Sequence, residues 1–184
     1  MDASEVDPSE LRSLLDKERI RDLLARWTRA VDRGDNDAIA DCYLAESVDQ
    51  HGAFLGSGKE FADRPMRRSG ALVAKTHTLG QSIIDLDGDQ AHCETYFLCP
   101  EVQKIDGELI FVQIQGRYLD VVKKAGGRWL IESRRVVLDW AYEVPDPKPW
   151  RALDAYPRSQ LWPDDEVYSK ESHAWPGYRQ WARG

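Results

Sequence analysis

The sequence predicts an α+β fold, with helices packed on one face of a curved, mostly antiparallel sheet, and three features carry that prediction. Apolar residues recur at helical spacing early in the chain, where Ile20, Leu23, Leu24, Trp27 and Val31 form one stripe. After Gly70 the pattern changes to alternation rich in β-branched residues. Two glycine-bearing turns, Asp87-Gly88-Asp89 and Ala125-Gly126-Gly127, then fold this second part into hairpins. Helices first and strands afterwards is the order of a segregated α+β domain.

Taken in order, residues 1–8 are expected to be disordered. Ser9 can cap a helix over residues 10–33, and Leu11, Leu14 and Leu15 lengthen its apolar face. Gly34 ends it, because glycine takes the left-handed conformation without a steric penalty. Asp35 or Asn36 then caps a second helix over residues 37–44. Residues 47–51 read as a short strand stopped by Gly52, and residues 56–61 open a third helix that runs to 68. Strands follow over residues 76–85, 91–99, 109–123 and 128–140, and the length of the last two fits a strongly curved sheet. One domain therefore covers residues 9–142. From residue 143 the composition shifts to Pro145, Pro147, Pro149, Pro157, Pro163 and Pro176, interleaved with Trp150, Trp162, Trp175 and Trp181. The prolines forbid a regular element. Aromatics in such number are poorly placed in water, so residues 143–184 are expected to wrap the domain or a neighbouring subunit.

Composition narrows the function. A formal charge of −7 over 184 residues argues against nucleic acid or an anionic membrane as the main partner. No apolar run approaches the roughly 20 residues of a membrane span. The acidic start, Met1-Asp2-Ala3-Ser4-Glu5, lacks the apolar core of a signal peptide. Cys42, Cys93 and Cys99 are odd in number and form no CxxC pair, which fits reduced thiols in a cytoplasm.

Asp32 is the odd residue of the first helix. It sits on the flank of the apolar stripe, in the last turn, where the helix dipole disfavours negative charge by about 0.3–1 kcal/mol. Two readings stand: a surface aspartate steadied by Arg29 or Arg33, or a carboxylate kept for chemistry at the mouth of a cavity. His77 opens the second strand and would share one face with Leu79, Gln81 and Ile83. A histidine beside an aspartate is the minimal general base, since the carboxylate fixes the tautomer and steadies the imidazolium. His51 ends the first strand and offers a second imidazole. Of the neighbours Arg117 and Tyr118 only one can face the interior, to bind or polarise a substrate. His51, His77, Asp32 and Asp49 are types that ligate metals, yet none lies at short paired spacing, so no metal is expected.

The segments that carry these residues resemble a known family. Ile20-Arg21-Asp22-Leu23-Leu24-Ala25-Arg26-Trp27 through Asp32-Arg33-Gly34-Asp35, then His51-Gly52-Ala53-Phe54, His77-Thr78-Leu79-Gly80, Gly116-Arg117-Tyr118-Leu119-Asp120 and Gly127-Arg128-Trp129-Leu130-Ile131, are similar in order to the SnoaL-like branch of the NTF2-like superfamily. The resemblance covers residues 9–142. It implies a cone-shaped α+β barrel, a curved sheet wrapped on three helices around a deep pocket. Through scytalone dehydratase, bile acid 7α-dehydratase and hexachlorocyclohexane dehydrochlorinase it also implies a cofactor-free elimination dyad, whose aspartate and histidine positions Asp32 and His77 match. His51 falls where scytalone dehydratase has a substrate-polarising tyrosine, and Trp27 where other members have Tyr or Lys. The expectation is thus a lyase without cofactor, with His77, Asp32, His51 and Tyr118 catalytic. Trp27, Phe54, Leu79, Phe97 and Arg117 would bind a small aromatic or polycyclic substrate, in a homo-oligomer of two or three subunits. The superfamily also holds hydrolases, isomerases and the non-catalytic β subunits of ring-hydroxylating dioxygenases, which are the rival readings.

Overall fold

The first helix, α1 (Pro8–Arg33), begins where the sequence supplies a cap, although not at Ser9. The Asp7 carboxylate accepts the Ser9 N–H at 2.8 Å, and Pro8 takes a first-turn position where its missing N–H costs nothing. Residues 7 and 8 are therefore ordered, and the rest of the expected disordered start lies outside the described residues. The computed structural model describes residues 7–64, 71–145, 147–148, 159–165 and 168. Gly34 closes α1 in the left-handed conformation at φ 67°, as the sequence predicts. The buried face of the helix is Ile20, Leu23, Leu24, Trp27, Ala30 and Val31, and Asp16, Thr28 and Asp32 are buried with it.

Asp35 caps α2 (Asn36–Ala40) by accepting the Ala38 N–H at 3.1 Å. The helix is shorter than expected, because Tyr43 and Leu44 belong to β1 (Tyr43–His51). Pairing decides this: Tyr43 aligns with Ile131, and the Cys42 carbonyl accepts the Ile131 N–H at 2.9 Å. Then come β2 (Phe54–Gly56) and α3 (Gly58–Ala62), which opens on a Ser57–Glu60 capping box. The helix expected to reach residue 68 stops at Ala62, and residues 65–70 lie outside the described residues. The long strands follow a short β3 (Leu72–Lys75): β4 (Thr78–Asp87), β5 (Gln90–Ile105), β6 (Glu108–Ala125) and β7 (Arg128–Pro145).

These strands make one sheet in the order β2-β1-β7-β6-β5-β3, and β4 also pairs with β5. β1 runs parallel to β7, while every other pairing is antiparallel. The β6–β7 ladder shifts register at Gln115/Gly116 and again at Val121/Val122. Such shifts bend a sheet. At the first, a Cβ on Gly116 would stand 2.2 Å from the Val137 carbonyl oxygen, so only glycine allows the close approach. Gly116→Ala is expected to lower stability by about 1–3 kcal/mol, read as an earlier urea midpoint with an unchanged slope.

The result is a cone: a curled, mostly antiparallel sheet closed on N-terminal helices. Its core joins the α1 stripe to Phe97, Cys99, Tyr118, Val122, Trp129 and Ile131 on the concave face. Cys42, Cys93 and Cys99 are buried and form no disulfide. Among the described residues no helix is long and apolar enough to cross a membrane. β7 continues through Pro145, past the expected change at residue 143. Most of the wrapping expected of residues 143–184 falls outside the described residues. The described part lies against the end of α1: the Trp162 N–H donates to the Arg33 carbonyl at 2.8 Å, and Asp165 pairs with Arg33 at 3.1 Å.

Candidate functional site

The last turn of α1 delivers Asp32 to the interior, 5% exposed. Both of its oxygens are taken by one residue. Oδ1 lies 2.6 Å from His77 Nδ1, and Oδ2 accepts the His77 backbone N–H at 2.8 Å. The surface reading of Asp32 is thereby excluded. His77 is not on a strand as expected. It lies in the connection between β3 and β4, which leaves its N–H free of the ladder and available to Asp32. The expected shared face of His77, Leu79, Gln81 and Ile83 also fails. A register shift between Leu79 and Ser82 inverts the alternation, so that Gln81 and Ile83 point out and Ile84 points in.

Burial pushes the pKa of His77 below its ordinary value, and the hydrogen bond and charge of Asp32 only partly oppose this. Lys75 and His51 depress it a little more. A neutral imidazole with its Nδ1 proton on the carboxylate keeps the Nε2 lone pair as a base. Among the described residues Nε2 has no hydrogen-bond partner.

Trp27 stands at the centre of the surrounding rings. Tyr118 meets it edge-on at 5.4 Å between centroids, Phe61 stacks at 5.8 Å, and His51 and His77 each lie 6.4 Å away, the first stacked and the second edge-on. Phe97 stacks on Tyr118 at 4.4 Å, while Phe54 touches only the rim, against Phe61. These rings rest on one another rather than walling an open hollow. The groove that holds Asp32 and His77, about 370 Å³, is lined with Thr28, Arg29, Thr76 and Leu79, so of the four expected wall residues only Leu79 borders it. A second groove of about 260 Å³ is lined by Val31, Ile39, Phe61 and Trp162, together with Arg64 and Lys75. Tyr118 is the inward member of its pair. Arg117 projects from the opposite face to Glu94 at 3.0 Å and Asp139 at 3.2 Å, which removes it from the substrate-binding set.

Arg134 and Asp120 were not expected in the interior. The Arg134 Nε and Nη2 donate to the two Asp120 oxygens at 2.7 and 2.8 Å. The guanidinium carbon lies 3.9 Å from the Trp27 ring centre and 4.3 Å from that of Tyr118. Burial opposes the charge, but Asp120 outweighs it and holds the Arg134 pKa above its ordinary value. Alternation from Trp129 and Ile131 would aim Arg134 outward. The register shift at Val121/Val122 turns it in. Asp120 carried a signal, since it shares a strand face with Tyr118 and Val122.

Around this ring cluster lie buried polar atoms without a hydrogen-bond partner among the described residues: Trp27 Nε1, Tyr118 Oη, Arg134 Nη1, Asp49 Oδ1 and His51 Nδ1. Each such atom costs about 1–3 kcal/mol. Their gathering in one place marks where polar atoms of a bound molecule would be satisfied. Burial holds Tyr118 far above the usual tyrosine pKa, so its hydroxyl is a donor. No three His, Cys, Asp or Glu side chains among the described residues gather to hold a metal ion.

Residues 12–135 match the family described as SnoaL-like domain. The fold is also that of several solved structures. A candidate scytalone dehydratase from Novosphingobium aromaticivorans is 15% identical, with 71% of this chain and 88% of that chain covered at a TM-score of 0.63. A hexachlorocyclohexane dehydrochlorinase from Novosphingobium barchaimii is 16% identical, with 74% and 93% covered and a TM-score of 0.63. The β subunit of a candidate aromatic-ring-hydroxylating dioxygenase from N. aromaticivorans is 20% identical, with 70% and 92% covered and a TM-score of 0.55. No curated protein matches the chain.

Proposed function

The chain belongs to the SnoaL-like domain family, and from that premise we propose that it is a cofactor-independent lyase. It would eliminate water, halide or a small carbonyl such as formaldehyde from a small aromatic or polycyclic substrate. The observation that carries this reading is the buried Asp32–His77 pair, whose carboxylate grips both the ring and the main chain of the histidine. Together the two bonds hold main chain and ring of His77 in one geometry, the preorganisation a catalytic base requires.

In this reading His77 Nε2 takes a proton from carbon or a hydroxyl, while Asp32 holds the Nδ1–H tautomer and stabilises the imidazolium. The Tyr118 hydroxyl and the free Arg134 Nη1 are donors for the oxygen on which negative charge develops. Relatives with Tyr or Lys at the Trp27 position would place a donor there, and Tyr118 and Arg134 replace it. Trp27 and Tyr118 are both buried and meet edge to ring, so in this reading a substrate must separate them to reach those donors.

The test is a mass-spectrometric screen of purified protein against aromatic and polycyclic alcohols, halides and hydroxymethyl ketones. Elimination removes the mass of the leaving group, hydrolysis adds that of water, and isomerisation changes nothing. No elimination product, together with a stoichiometric larger subunit on native purification, would replace the lyase by a β-subunit-like role. The pH profile offers a second check. Because His77 is held neutral by burial, activity should persist as pH falls past the ordinary histidine value of about 6.5. It should fall only at lower pH, as the imidazole takes up a proton, and kcat/KM measured across that range reads the limb directly.

A further inference from the structure

Trp27 is flanked by two histidines, and each lies beside a buried carboxylate. The second pair is His51 and Asp49, from the same strand, β1. Asp49 is fully buried. Its Oδ2 accepts the Tyr43 hydroxyl proton in a short hydrogen bond. Its Oδ1 lies 3.7 Å from His51 Nδ1, just beyond hydrogen-bond length, and both atoms are buried without a partner. A lone carboxylate oxygen in the interior is costly, and a small turn of the imidazole would satisfy it. The ring packs beside Phe61, stacked at 4.9 Å, and Trp27 at 6.4 Å, which themselves stack on each other.

We infer that Asp49, oriented by Tyr43, is the positioning carboxylate of His51, and that this second pair protonates an oxygen leaving group, so that the group eliminated is a hydroxyl. The inference rests on the lyase reading. It assigns the two histidines opposite tasks. His77 Nε2 removes a proton from carbon, and that electron pair becomes the new C=C bond as the C–O bond breaks. The His51 imidazolium gives its proton to the departing oxygen, which leaves as water. The cycle closes when the proton gained by His77 is returned to His51 through solvent. Halide departs as a stable anion and needs no acid. A site built for halide alone would have no use for a buried carboxylate behind His51.

Two measurements on the full chain test this. Long-range proton–nitrogen correlation of isotope-labelled protein reads the tautomer of neutral His51. A carboxylate only accepts, so the wild type is expected to carry the proton on Nδ1. In Asp49→Asn the amide can donate to the ring, and the balance should move toward the Nε2–H form, with the backbone spectrum otherwise retained. An unmoved tautomer overturns the positioning role. The second measurement uses the benzaldehyde–acetone aldol and the β-chloro ketone of the same skeleton, which eliminate to the same enone. Asp49→Asn and His51→Gln should each lose about 100-fold or more on the alcohol and less than about 3-fold on the chloride. Equal losses on both overturn the acid role. If the wild type turns over neither probe, the lyase reading is what fails for this substrate type, and the tautomer still decides whether Asp49 orients His51.

Discussion

Asp32→Asn should reduce kcat by about three to four orders of magnitude while leaving the protein folded. The size follows from how Asp32 is used. One oxygen holds the main-chain N–H of His77 and the other faces Nδ1 of its ring. Asparagine has a single acceptor. If that acceptor keeps the backbone bond, the NH₂ group is turned toward Nδ1 and forces the ring proton onto Nε2, the atom that must act as base. The side chain keeps its shape and the site loses its tautomer. His77→Ala removes the base outright and should fall at least as far. A steady-state assay of both variants on a substrate found by the mass-spectrometric screen, with thermal melts alongside, separates loss of chemistry from loss of fold. Near-wild-type rates in both would remove the dyad from the mechanism.

The largest effect on stability is expected at Asp120. Asp120→Ala strands the Arg134 guanidinium, whose side chain is fully buried and whose Nε and Nη2 bond to that carboxylate. Leaving one member of a buried pair unpaired costs about 3–5 kcal/mol. For a chain of this length that is a fall in Tm of about 6–20 °C. The double variant Asp120→Leu with Arg134→Met should recover much of the loss, because the rings of Trp27 and Tyr118 that cover the guanidinium accept an apolar chain equally well. Calorimetry of the single and double variants checks both statements. A single variant as stable as the wild type would mean that water reaches Arg134.

What the sequence disclosed follows from the range over which its signals act. The long first helix, its stop at Gly34 and the two late hairpins are written in local periodicity and turn residues, and all are present. Asp32 stood out because it broke two local rules at once, lying on the flank of an apolar stripe and at the wrong end of a dipole. Tyr43 escaped because its strand depends on a partner far along the chain, Ile131. His77 is legible as a residue but not in its place off the strand, since nothing local shows that its N–H leaves the ladder for a carboxylate on α1. Arg134 was hidden by a bulge, which reverses inside and outside without altering composition. The sequence offers Asp49 only as a metal-ligand type, because its hydroxyl partner and its imidazole neighbour meet it only once β1 is formed.

The parallel pairing of β1 with β7 also governs how the molecule is made. Tyr43 must find Ile131, and Gln50 must find Arg135, so the seam that joins the early strands of the chain to its last one cannot form until nearly the whole domain has left the ribosome. Until then the nascent helix carries Trp27 and its apolar neighbours uncovered. Contacts of such long sequence separation fold slowly and expose greasy surface meanwhile. The closing of this one seam is therefore the step at which the growing chain exposes its apolar helix face longest.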